Sequence, residues 1–329
     1  MSMKKFEVLV IVIAAFIISV NCISCSDEDA LLILSDKDQI LDFTDEGGER
    51  TISFKINDEV WSISPTGVLP NWLSYTPQEG LNGDNVITIK VLRNIGSFRS
   101  HNLHLNAKHD KSIVSERKII TVNQMGTNDT SGTYTVELEA GTLSGIIAED
   151  YISQVKELSL IGDLNGADIL HLKKMLYTFK SGALSVLDLS NANIVEGGGN
   201  YELAANIKRF TSNDEIGERM FSCASNETDL LKSVILPNSI KIIGNSAFEG
   251  RRNLTTIIIP NNVTAIKKRA FYYCTKLQEV HVKTSTPPVI TSTTFDEVTY
   301  NGTLYVPMGS INTYKDAEHW SKFNNIVEE

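Results

Sequence analysis

Cysteine is scarce in this chain, with 4 in 329 residues, too few to staple a small disulfide framework. Clustered lysine and arginine are missing as well. The formal net charge is −10, and without a basic run there is nothing to hold nucleic-acid phosphates and release their counterions. Signatures of catalysis are equally thin. There is no His-Glu-x-x-His zinc motif, no Gly-x-Ser-x-Gly elbow, no phosphate-binding Gly loop and no pair of Cys-x-x-Cys sites. Gly197-Gly198-Gly199 lacks the strand, helix and Lys that a phosphate cradle needs. The expectation is a protein that is not an enzyme and carries no cofactor and no metal.

What is present is ordinary globular composition, 42% hydrophobic and 21% charged, which argues against a multispanning membrane protein and for a soluble body. The length suggests about two domains. Lys4 and Lys5 precede an apolar run from Val8 to Val20, too short for a comfortable membrane span and typical of a secretory leader. Ile23-Ser24-Cys25 follows, with Ser26-Asp27-Glu28-Asp29 behind it. This resembles a bacterial lipobox, although Cys22 departs from the usual aliphatic residue. The resemblance implies a signal peptide over 1–24, acylation of Cys25 and a lipidated tether over 25–37. An ordinary secreted protein cut nearby is the alternative. The acidic triplet resembles the export tag of Bacteroidetes-type surface lipoproteins, and self-repulsion that keeps a tether extended is its plainer explanation.

From about Asp38 to Gly126, short alternating segments separated by polar turns give an all-β pattern. Ile52, Phe54 and Ile56 share one strand face while Thr51, Ser53 and Lys55 share the other. Gly47-Gly48-Glu49-Arg50, Trp61-Ser62-Ile63, Asn71-Trp72-Leu73-Ser74 and Ile120-Thr121-Val122-Asn123-Gln124 together resemble a BACON domain. That resemblance implies an immunoglobulin-like β-sandwich and a carbohydrate-binding role, for which Trp61, Trp72 and Tyr75 form a candidate glycan platform. Core filling is the competing role for these rings and the favoured one. His101, His104 and His109 lie close together, but His101 and His104 point to opposite strand faces and no ligand spacing is completed. They read as a solvated edge strand.

The polar joint 127–133 separates this unit from a second one over 134–329. There, Leu231, Leu254 and Leu277 recur at intervals of 23 residues. Ile240 matches Val263, Ile243 matches Ile266, and Ala247-Phe248 matches Ala270-Phe271. Less regular rungs precede them at Val155 to Leu160 and Leu184 to Leu189. A rung cannot bury its own apolar row alone, so equivalent side chains stack from rung to rung. These residues resemble the BspA-like leucine-rich repeats, with Cys274 at the family's Cys position, Arg251 replacing it in the preceding rung and Cys223 one place early. The resemblance implies a solenoid with caps at both ends and buried packing for Cys223 and Cys274.

The expected fold class is thus mainly β, an immunoglobulin-like β-sandwich followed by a leucine-rich-repeat solenoid. In the repeat pattern the outward positions include Ser233, Ile235, Thr256, Ile258, Glu279 and His281, a candidate binding ladder. The function expected is a lipid-anchored outer-membrane protein facing the cell exterior, which binds host or bacterial surface proteins. The alternative is a glycan-binding surface lipoprotein of a polysaccharide-capture system. The only membrane contact expected is the lipid anchor.

Overall fold

The computed structural model describes residues 31–329 except 58–59, 110–112, 178–181, 205 and 224–228. The proposed leader and Cys25 lie outside the described residues. Among those described, no helix is long and apolar enough to cross a membrane.

The first unit is built from β1 (Leu32–Leu34), β2 (Ile40–Phe43), β3 (Gly48–Ile56), β4 (Val60–Pro65), β5 (Leu73–Thr76), β6 (Glu79–Gly80), β7 (Gly83–Val91), β8 (Arg99–His109) and β9 (Ile113–Gln124). They form a four-stranded sheet, β1-β3-β7-β5, and a five-stranded sheet, β2-β9-β8-β4-β6. Period-2 alternation aims Ile52, Ile87 and Ile89 from one sheet and Leu103, Leu105, Ile120 and Val122 from the other into one core, all at 0% exposure. Each such burial is worth roughly 1.5–3 kcal/mol before entropy is charged. The segment expected as tether reaches into this unit. Leu32 and Leu34 are buried, and β1 pairs antiparallel with β3, Leu32 opposite Ile56. Two alternating leucines beside an acidic stretch are too short a pattern to read as a strand.

The second unit contains β10 (Thr133–Leu138), α1 (Leu143–Ile146), β11 (Glu157–Leu164), α2 (Gly166–Met175), β12 (Val186–Ile194), β13 (Glu215–Ile216), β14 (Ser233–Ile235), β15 (Ile242–Ile243), β16 (Thr256–Ile259), β17 (Ala265–Ile266), β18 (Glu279–Val282), α3 (Glu297–Tyr300), β19 (Thr303–Val306), α4 (Ile311–Asp316) and β20 (Asn325–Glu328). Eight of these strands make one parallel sheet in chain order, β10-β11-β12-β14-β16-β18-β19-β20. A second parallel sheet, β13-β15-β17, shares its core. Parallel pairing in strict chain order means the chain returns to the same side once per rung. Between the sheets, Phe221, Phe248, Phe271 and Phe295 stack with centroid separations of 5.4, 5.3 and 5.4 Å. Cys223 and Cys274 are buried as thiols in this unit.

The two units are joined by more than the polar joint. Ile95, between β7 and β8, belongs to the core of the array and donates its N–H to the carbonyl of Ile146 at 2.7 Å. Arg99 on β8 donates to Gln124 Oε1 (2.8 Å), to the carbonyl of Leu92 (3.1 Å) and across the junction to the carbonyl of Gly145 (2.5 Å). Its guanidinium lies 4.5 Å over the Trp72 ring. Asn71 donates to Ser144 Oγ at 2.7 Å, and Arg93 to the carbonyl of Thr135 at 2.8 Å.

Candidate interaction face

Strand register determines which side chains stand side by side on the outer face of the long sheet. Asp188, Ile235, Ile258, His281, Tyr305 and Val327 form one row across β12, β14, β16, β18, β19 and β20. Val186, Ser233, Thr256, Glu279, Thr303 and Asn325 form the row beside it. With strands about 4.8 Å apart, six neighbours extend over roughly 24 Å. The sequence places these residues outward because Val234, Ile257 and Val280, the alternate positions, are the apolar ones and are buried.

All six ladder residues expected from the sequence lie on this face, and the register brings them together in pairs. Ile235 is 36% exposed and Ile258 half-buried beside it. The His281 ring stacks on Tyr305, centroids 4.3 Å apart and planes within 5°. His281 Nδ1 lies 2.9 Å from Glu329 Oε2, and Lys283 pairs with Glu329 at 2.5 Å. Burial pushes the Glu329 carboxyl up, but the hydrogen bonds from Lys283 and His281 outweigh it and hold the group below its ordinary value. In the neighbouring row Thr256 Oγ1 donates to Glu279 Oε2 at 3.0 Å. The result is an apolar and aromatic stripe on rigid parallel strands, bordered by hydroxyls and paired charges. Such a surface can bury area against a partner at small cost in conformational entropy.

Tyr305 and Val327 were not among the expected ladder residues. Their strands belong to the segment read as a terminal cap, where the 23-residue period fails. The available signal was local alternation, Leu304-Tyr305-Val306 and Ile326-Val327, in which one residue of each set faces outward.

The three rings of the expected glycan platform are 2%, 8% and 9% exposed at Trp61, Trp72 and Tyr75. Trp61 packs edge-to-face on Phe54 at 4.9 Å, and Gly80 is required beside it, since a Cβ there would stand 2.5 Å from the indole nitrogen. Trp72 lies under Arg99 at the junction. These rings fill the core and the junction and offer no open stacking face. β8, which carries these histidines, is not the edge strand expected but lies between β9 and β4, with His104 Nε2 3.1 Å from Thr66 Oγ1 and His101 half-buried. The side chain of His109 lies outside the described residues. Among the described residues no group of three or more His, Cys, Asp or Glu could hold a metal ion.

Residues 214–317 match the family model of the BspA type leucine-rich repeat region, in six copies. All six expected ladder residues fall within the match, as does Tyr305, while Val327 lies beyond it. No curated protein matches the chain. Among solved structures, the chain is similar to a Bacteroides ovatus GH5 xyloglucanase in complex with a XXXG heptasaccharide, at 13% identity and a TM-score of 0.25. That similarity covers 48% of this chain and 45% of the other, so the chain spans less than half of the xyloglucanase. A protein from Bacteroides thetaiotaomicron solved by NMR is similar at 16% identity over 32% of this chain and 98% of that one, with a TM-score of 0.20. A C. elegans MSP family member, WR4, is similar at 10% identity over 30% and 99%, with a TM-score of 0.23. At these TM-scores the structural similarities carry nothing about activity.

Proposed function

We propose that this protein is a surface-displayed protein-binding module that uses the outer face of its long parallel sheet. BspA type repeats across residues 214–317 are the premise, since leucine-rich repeats are generally protein-interaction modules. The observation that carries the reading is the continuous row Ile235, Ile258, His281 and Tyr305, aligned by register and bordered by charge. In this reading the first unit is an immunoglobulin-like, BACON-like sandwich and the second a leucine-rich-repeat solenoid. Cys25 carries the lipid that holds both at the outer membrane, facing the cell exterior, and no catalysis is involved.

The test is a binding screen of the soluble fragment from Ser26 to Glu329 against extracellular-matrix and bacterial surface proteins. Ile235→Asp and Ile258→Asp are then applied to any partner found. Each should weaken binding at least 10-fold with the unfolding midpoint unchanged. A partner that binds both variants as tightly as the parent would overturn the assignment of this face.

A further inference from the structure

The far end of the array carries a surface feature of different chemistry from the sheet face. A cavity of about 740 Å³ opens between the last Phe-bearing rung and the closing segment, within the range typical of small-ligand clefts, about 300–1,000 Å³. Phe295 and Tyr300 line its buried side. Tyr300 is 7% exposed, and its hydroxyl meets no hydrogen-bond partner.

The rim is aromatic and polar together. Tyr272 lines the cavity and stands with its ring 4.3 Å from that of Tyr273, which is 47% exposed. The Arg269 guanidinium packs 4.6 Å from the Tyr272 centroid and is itself paired with Glu249 at 2.5 Å, so this support adds no unbalanced charge. Opposing groups are fixed in pairs. Asn324 donates through Nδ2 to Asn301 Oδ1 at 2.7 Å, which leaves the Asn301 amide as donor and the Asn324 carbonyl as acceptor. Asp296 Oδ2 accepts from the backbone N–H of Tyr273 at 3.2 Å, which leaves Oδ1 for a ligand. Lys322 lies 5.5 Å over the Tyr300 ring.

This composition selects among ligand classes. Asp296 and Glu297 against Lys322 give no excess of positive charge, which disfavours phosphates and sulfated chains. An apolar ligand would strand the Asn, Asp and Lys groups without water. A neutral sugar fits both halves of the rim, because its hydroxyls donate and accept at once and its C–H face packs on an aromatic ring. We propose that this end cavity binds a short neutral oligosaccharide, with Tyr272 as its aromatic wall and Asp296, Asn301 and Asn324 reading its hydroxyls. The site is remote in sequence and chemistry from Ile235 and Ile258, so its fate is separate from that of the sheet-face reading.

The test is titration of the fragment from Ser26 to Glu329 with cellohexaose, laminarihexaose, mannohexaose and chitohexaose, with a heparin hexasaccharide as the anionic control, read by calorimetry and by ligand-observed saturation-transfer NMR. At least one neutral hexasaccharide should bind saturably, with the heparin fragment binding at least 10-fold more weakly. Tyr272→Ala, at a half-buried position, and Asn324→Ala, at an exposed one, should each weaken that binding at least 5-fold, the latter at an unchanged unfolding midpoint, while Ile235→Asp leaves it unaltered. Absence of binding to all four neutral sugars overturns the proposal. So does binding indifferent to both substitutions, or a preference for the anionic control.

Discussion

The rung closed by Cys274 and the rung before it, closed by Arg251, bury different chemistry at equivalent places. Cys274 sends Sγ–H to the carbonyl of Phe248 on the preceding rung at 3.2 Å. One rung earlier Arg251 occupies that position, fully buried, and sends Nε–H to the carbonyl of Phe221 at 2.5 Å. The same hydrogen bond is made, but a charge now sits in the core. Asp229 balances it at 2.9 Å, and accepts in turn from the N–H groups of Leu231 (3.1 Å) and Asn253 (2.8 Å). Lys173 repeats the theme on α2, buried against Glu202 at 3.2 Å and 5.5 Å from the Tyr201 ring. Apolar rungs are nearly interchangeable along the stack, whereas charged ones must meet particular partners. Each buried charge costs desolvation that only its paired partner offsets.

Breaking the apolar half should give the largest effect. Phe248→Ala interrupts the ring column between Phe221 and Phe271 and should lose about 3–5 kcal/mol of stability in urea unfolding. Breaking the charged half should come close. Asp229→Ala leaves the Arg251 guanidinium buried without its counter-ion, with an expected loss of about 3–5 kcal/mol. Adding Arg251→Cys, which writes the residue of the following rung into this one, should recover most of that loss. If the double variant is no better than the single, the two positions are not equivalent.

A third effect, no larger, is read by pH. Burial, aided by Lys174 nearby, pushes the His171 imidazole on α2 down to about 4, against an ordinary value of 6.5, with Glu149 opposing. The folded protein therefore resists a proton that the unfolded chain accepts. Stability is complete above pH 6.5 and falls by about 1.4 kcal/mol per pH unit as pH drops from 6.5 towards 4. His171→Leu should flatten that stretch of a stability-versus-pH curve. Smallest of all, Ser233→Ala on the outer face should change stability by less than about 0.5 kcal/mol, as measured by thermal unfolding.

Legibility in the sequence followed the same division. The 23-residue recurrence displayed the regular rungs and their outward residues, because identical neighbours impose identical patterns. The Arg251–Asp229 pair was not visible, since its partner lies in a stretch where the period is lost. The ladder extends to Tyr305 and Val327 for a reason equally hidden: the closing segment keeps the strand positions of the sheet after abandoning the repeat's spacing. Trp72 could be read as a sugar platform only while Arg99, 27 positions on, was unknown as its cover. The end cavity escaped entirely, because Tyr272, Asn301 and Asn324 come from three segments that share no motif.

Ile95 leaves the first unit to enter the core of the second, and Arg99 fastens the carbonyl of Gly145 behind it. The boundary where the chain is easiest to divide on paper is thus one where a hydrophobic column is still open. A cut within 127–133 would leave the array with an unplugged end and the first unit with an exposed isoleucine. Exchange of either half between proteins, by engineering or by recombination, would have to carry the Ile95–Arg99 stretch along with its receptor on α1.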